Sequence, residues 1–105
     1  MPTNEELYRE YETLKDGGQL EEAAAKLEEA LTQDPSFALA HSALAVLYGR
    51  LKRHDDAIRH GLQVCELEPN EPFNFTAMSV TFQRAGKIPE AEDAMARARM
   101  LQARQ

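Results

Sequence analysis

The feature that most constrains this chain is a translational repeat. Shifted against itself by 34 residues, the sequence brings Ala23, Ala57 and Ala91 into register, together with Ala30, Val64 and Ala98, and with Leu14, Tyr48 and Phe82. Leu20, His54 and Ile88 share the spacing, as do Pro35 and Pro69. Each of these prolines is followed by a residue, Ser36 or Asn70, whose side-chain oxygen is expected to accept from an amide at a helix start. Three units result, near 4–37, 38–71 and 72–105, within one domain of 105 residues. Each unit is too short to bury a core alone, so stability has to come from units leaning on one another.

Within a unit the apolar period is helical. Leu44, Leu47, Tyr48 and Leu51, then Ala57, Ile58, Gly61, Val64 and Cys65, follow i, i+3, i+4, i+7 spacing. Composition agrees: Ala, Leu and Glu number 41, whereas Val and Ile number five. That balance favours helix and excludes an all-β fold. The fold class is therefore all-α, with six helices in three antiparallel pairs, near 4–16, 20–33, 37–51, 55–67, 72–85 and 89–104. Asp16-Gly17-Gly18, Lys52-Arg53-His54 and Gly86-Lys87 break each pair. Thr3 and Glu6 have capping-box spacing, and Pro89 falls in a first helical turn, where proline is tolerated.

The repeated alanine has a mechanical reason. A methyl group at 23, 57 and 91 lets two helix axes approach to the short end of the usual range of about 8–10 Å. Leu14, Tyr48 and Phe82 are expected to fill the space between helices. Gly61, which costs on the order of 1 kcal/mol in a helix interior relative to Ala, implies a closely packed neighbour such as His41 or Phe75.

The 34-residue period, the A-x-x-x-[LGM]-x-x-[AV] run in each second helix, the closing prolines and the glycines at 18 and 86 resemble the tetratricopeptide repeat (TPR) family. The resemblance covers the whole chain as three tandem repeats. It departs where the family favours Trp (here Leu7, His41 and Phe75), at the bulky Tyr11 in place of a small residue, and at Leu27, Gly61 and Met95 in place of an aromatic. Ala103 stands where the other units have Pro, so the last helix is expected to run on.

The resemblance implies an α-α superhelix whose concave face is lined by the first helix of each pair. Helical phase then places Tyr8 and Arg9, with Glu5, Glu12 and Lys15, on that face in the first unit. The second unit contributes Leu39, Ser42, Ala43, Val46, Gly49 and Arg50, and the third Phe73, Thr76, Ala77, Val80, Gln83 and Arg84. Leu39, Val46, Phe73 and Val80 are apolar where neither helix partner should cover them, which marks an interaction site. A peptide or helix would lie there, its carboxylates against Arg50 and Arg84. The competing reading makes these residues core between repeats, or a groove filled by the chain itself. The family's carboxylate clamp of Lys, Asn, Asn, Lys and Arg maps onto Tyr8, Glu12, Ala43, Phe73 and Ala77, none of which matches. Binding of chaperone C-terminal tails is therefore not expected.

Charge supplies an alternative. Residues 1–35 carry ten acids and three bases, 36–69 four of each, and 70–105 four acids and five bases. Oppositely charged ends favour head-to-tail association, and the last helix exposes Ala91, Ala94, Met95, Ala98 and Leu101 to a further partner, so a homodimer is the second reading. A net charge of −6 without a basic stripe argues against nucleic acid. The absence of a long apolar run argues against a membrane, and one Cys with no secretion signal points to the cytoplasm.

Catalytic, cofactor and metal motifs are absent from the sequence, and the expected activity is non-enzymatic. His41, His54 and His60 lack ligand spacing and read as surface or packing histidines. Cys65 reads as a small buried hydrophobe, Met78, Met95 and Met100 as packing residues, and Glu21-Glu22 and Glu28-Glu29 with Lys26 as solvated faces. Asn74-Phe75-Thr76 matches a glycosylation acceptor by chance, since it lies in an expected helix.

Overall fold

The computed structural model describes residues 1–105. It contains six helices: α1 (Asn4–Asp16), α2 (Leu20–Gln33), α3 (Ala38–Arg50), α4 (His54–Leu67), α5 (Pro72–Arg84) and α6 (Ile88–Ala103). There are no strands. Each helix packs chiefly on its hairpin partner, and α2 on α3 and α4 on α5 join the hairpins in chain order. The outcome is an elongated array of 42 × 27 × 20 Å.

Local chemistry sets the boundaries. Thr3 caps α1 through a full capping box: its Oγ1 accepts from the Glu6 N–H at 3.1 Å while Glu6 Oε1 accepts from the Thr3 N–H at 3.2 Å. The hairpin turns repeat as faithfully as the helices. Gly18, Lys52 and Gly86, spaced by 34, have φ of 81°, 62° and 77°. After each, a backbone N–H reaches back five residues, Gln19 to Leu14 O at 2.8 Å, Arg53 to Tyr48 O at 2.8 Å and Lys87 to Phe82 O at 2.9 Å. A left-handed residue followed by such a bond satisfies helix-end carbonyls, and glycine adopts it without a Cβ penalty. Lys52 alone adopts it with a side chain.

The expected caps at Ser36 and Asn70 are not formed. The helix opens one residue later, so the cap falls two residues after each proline. Phe37 caps α3 with no side-chain bond, and the Ser36 N–H instead goes to Asp34 Oδ1 at 3.1 Å. At α5 the cap is Glu71, which accepts from the Phe73 N–H at 3.3 Å. Without a closing Pro, α6 runs on to Ala103. Of the α6 residues expected to face a further partner, Ala91, Ala94, Ala98 and Leu101 are instead buried within the chain, because α6 turns that face onto α5, and only Met95 stays partly exposed.

Ala23, Ala57 and Ala91 are buried, as the close-approach argument requires. The main core spans the first two repeats, joining Tyr11, Leu27, Leu44, Leu47 and Tyr48 with the small residues between them. A smaller cluster of Cys65, Met78 and Ala94, flanked by Ile58, Phe75 and Phe82, holds the third repeat. Buried polar groups there are paired: Ser79 Oγ donates to Ala91 O at 2.9 Å, and Asn74 Nδ2 donates to Glu68 O at 3.2 Å. The neighbour that requires Gly61 is neither His41 nor Phe75. It is Met78, whose Sδ occupies the space a side chain at 61 would need. Met100, in turn, is exposed and packs no core. No helix is long and apolar enough to cross a membrane.

Candidate binding groove

The groove lies between the first helices of repeats two and three. From α3 come Ser42, Ala45, Val46 and Gly49, and from α5 come Phe73, Thr76, Ala77, Val80, Thr81 and Arg84. Gly61 and Val64 of α4 form the floor, and the cavity is about 320 Å³. A helix presents side chains three and four positions apart on one face, which is why 42, 46 and 49 meet 73, 76, 77, 80 and 84.

Its walls are apolar and uncovered. Phe73 is 71% exposed, Val46 57% and Val80 39%. They are therefore not core between repeats, whose packing runs through other residues, such as Met78 on Gly61. The Arg84 guanidinium reaches across to α3, its Nη1 4.0 Å from where a Cβ at Gly49 would sit. Arg50 and Arg84 occupy matching places in the last turns of α3 and α5, where the partial negative charge of a helix C-terminus favours a cation. Both are exposed.

The structure distributes the other expected residues differently. Leu39 is exposed but borders no part of this cavity. Ala43 is buried in the main core instead of lining the groove, because it faces the first repeat. Tyr8 is half-buried, its ring 4.9 Å from that of Tyr11 and 6.1 Å from that of Phe37. Burial raises the phenol pKa of both tyrosines above the ordinary value. Arg9 borders a separate polar hollow with Glu6, Glu10, Thr13 and Lys26. Sequence reasoning missed Ala45, His54, Gly61, Val64, Asn74, Met78 and Thr81 in the lining. Gly61 carried a signal, since a glycine inside a helix marks a close approach.

Elsewhere, burial pushes the Cys65 thiol up in pKa, which suits an inert packing residue. Lys26 does not pair with glutamates of its own helix. It bridges to Glu10 of α1 at 3.0 Å. Glu28 is not simply a solvated acid, because its carboxylate lies 3.3 Å from the buried His60 ring. His41 and His60 are in direct contact, Nδ1 to Nδ1, at 2.9 Å. No group of three or more His, Cys, Asp or Glu side chains is gathered for a metal ion.

A family model described as TPR repeat matches residues 12–52. No curated protein gives a significant match to the sequence. Among solved structures, the crystal structure of MamA superposes at a TM-score of 0.88 with 18% identity, over 97% of this chain and 60% of that one. YrrB, solved as a TPR protein with an unusual peptide-binding site, superposes at 0.86 with 18% identity, over 98% of this chain and 53% of that one. The second TPR of Spaghetti (RPAP3), bound to the HSP90 peptide SRMEEVD, superposes at 0.82 with 17% identity, over 94% and 92%. The chain thus spans little more than half the length of the first two. At these identities the likeness establishes the superhelical fold.

Proposed function

Since the chain is an array of three tetratricopeptide repeats, we propose that it is a non-enzymatic protein-interaction module. Its concave groove holds a short segment of another polypeptide, in the manner of a scaffold or adaptor. The observation that carries this reading is the facing of Val46 against Phe73 and Val80 across a cavity of about 320 Å³, uncovered by the chain's own helices. The occupant is amphipathic: an apolar side chain enters between α3 and α5, and a carboxylate meets Arg84 at the cavity wall. That neighbours of the same fold are described as peptide-binding supports the reading.

The test is selection from a displayed peptide library, followed by calorimetry of the enriched peptides on wild type and on the Phe73→Glu/Val80→Glu variant. Enriched peptides should pair an apolar residue with an acid, and the variant should lose binding while keeping its helical signal and melting temperature. No enrichment, or binding indifferent to the variant, would contradict the reading.

A second reading, self-association, rests on the far end of the array. Ser79, Gln83, Ile88, Ala91, Met95 and Arg99 form a hollow there. Counted back 34 residues, these positions are Ala45, Gly49, His54, Ala57, Gly61 and Cys65, the region of α3 and α4 against which α5 is seated. A second copy would bring its acidic first repeat to this end, which carries more bases than acids. Light scattering at low and high salt tests it: a salt-sensitive dimer supports the reading, and a monomer throughout removes it.

A further inference from the structure

The register that builds the fold also carries a template for what enters the groove. The first helices α1, α3 and α5 start at Asn4, Ala38 and Pro72, 34 residues apart, so the space between α1 and α3 is the counterpart of the space between α3 and α5. Between α1 and α3 the chain fills that space itself. Tyr11 is 6% exposed and shares one core cluster with Leu27, Ala43, Leu44 and Leu47. The Tyr8 ring lies 4.9 Å from the Tyr11 ring, and Lys15 Nζ lies 5.4 Å from its centroid.

One repeat later the same positions change character. Tyr8, Tyr11 and Lys15 become Ser42, Ala45 and Gly49. Leu27 becomes Gly61, while Ala43, Leu44 and Leu47 become Ala77, Met78 and Thr81. Ala45 and these four counterparts of the residues clustered with Tyr11 all line the cavity of about 320 Å³. The cavity is therefore the place of the ring that Tyr11 supplies in the first repeat, left open because α3 carries only a methyl group there.

We propose that the occupant anchors itself with an aromatic side chain, tyrosine being the type case, inserted between α3 and α5 where Tyr11 sits between α1 and α3. This rests on the groove reading above and names the residue that enters it. An aromatic side chain buries about 150–250 Å². A cavity of about 320 Å³ is at the small end of ligand pockets, which run from about 300 to 1,000 Å³, so it takes one large side chain. Phe73, 71% exposed in the lining, offers a ring for the offset or T-shaped packing that aromatic pairs prefer. One end of the cavity is polar. His54 and Thr81 replace Leu20 and Leu47 of the first repeat, and Arg84 keeps the cation of Arg50. Thr81 and Arg84 share the last turn of α5, and His54, at the start of α4, borders a hollow with Ala85 just beyond that turn. A phenol hydroxyl finds hydrogen-bonding groups at this end, and an acidic neighbour in the occupant meets Arg84.

The experiment has two arms. Peptides selected on the protein are read for their anchor, and p-cresol, the tyrosine side chain alone, is titrated while the Val46, Val64 and Val80 methyls are followed by NMR. Selected peptides should share an aromatic residue whose replacement by Leu weakens binding at least about tenfold, and p-cresol should shift the three methyl signals. Ala45→Tyr, which gives α3 the side chain that α1 carries, should abolish both responses and raise the melting temperature by filling the cavity. Peptides that bind through Phe73 and Val80 but accept Leu as anchor leave the groove standing and overturn the aromatic anchor. Full peptide binding to a folded Ala45→Tyr overturns it as well, as does p-cresol that leaves the methyls unmoved. If no peptide is selected, the polypeptide reading falls, and the p-cresol titration of wild type decides the aromatic slot alone, whether or not Ala45→Tyr folds.

Discussion

Met78 Sδ fills the space that a side chain at Gly61 would need, so α5 rests on α4 at a point where one residue must be hydrogen-sized. Both residues line the groove, together with Val46 and Val80. Gly61→Ala forces the buried Met78 aside, at a cost of about 1–3 kcal/mol for overpacking, set against about 1 kcal/mol of helix propensity gained. A net loss is expected. In a Met78→Ala background the clash is gone and the same substitution should stabilise. Urea unfolding of the four proteins in this cycle reads the change of sign.

Lys52 holds the left-handed turn position that glycine holds in the other two repeats. A left-handed residue with a Cβ costs roughly 1–2 kcal/mol, and glycine returns part of that as unfolded-chain entropy. Lys52→Gly should therefore stabilise by about 0.5–1 kcal/mol, seen as a raised urea midpoint with an unchanged slope. A lower midpoint would mean that the Lys52 side chain does something this turn geometry does not show.

These turns and alanines were legible because a repeat writes the same packing rule at fixed intervals. Three copies of Ala at 23, 57 and 91 state one close approach three times. The exposure of Val46, Phe73 and Val80 followed from helical phase once the family resemblance indicated which helices line the concave face. The Gly61–Met78 contact was half legible: the glycine announced a close neighbour, but which residue of the next repeat reaches it depends on interhelical geometry. The seam of Glu28, His41 and His60 was not legible, because its members lie on three helices with no local spacing to connect them. The caps shifted because the turn after each proline takes one residue more before the helix opens.

His60 sets an acid dependence. Its pKa is about 4 in the folded chain against about 6.5 unfolded. Between those values the unfolded chain holds the proton and the folded one does not. Stability should therefore fall as pH drops from about 6.5 to 4 and stop falling from this cause below that, with a total on the order of 3 kcal/mol. Unfolding free energies at several pH values should show this fall in wild type and a smaller one in His60→Gln, while carboxylate effects common to both cancel.

The positions that would form a carboxylate clamp are Tyr8, Glu12, Ala43, Phe73 and Ala77, which supply no cation and, at Glu12, an anion. Titration with an acidic chaperone C-terminal tail peptide should give no saturable heat. Clear binding would mean that Arg50 and Arg84 suffice to capture a terminal carboxylate.

The central claim is that a partner segment occupies the space between α3 and α5. Methyl-resolved NMR of the protein with its selected peptide tests it most directly. The account predicts shifts concentrated at Val46, Val64, Ala77 and Val80, with little change at Ile88, Met95 and Leu101. Shifts centred on α6, or scattered over the surface with no focus on the groove, would contradict it.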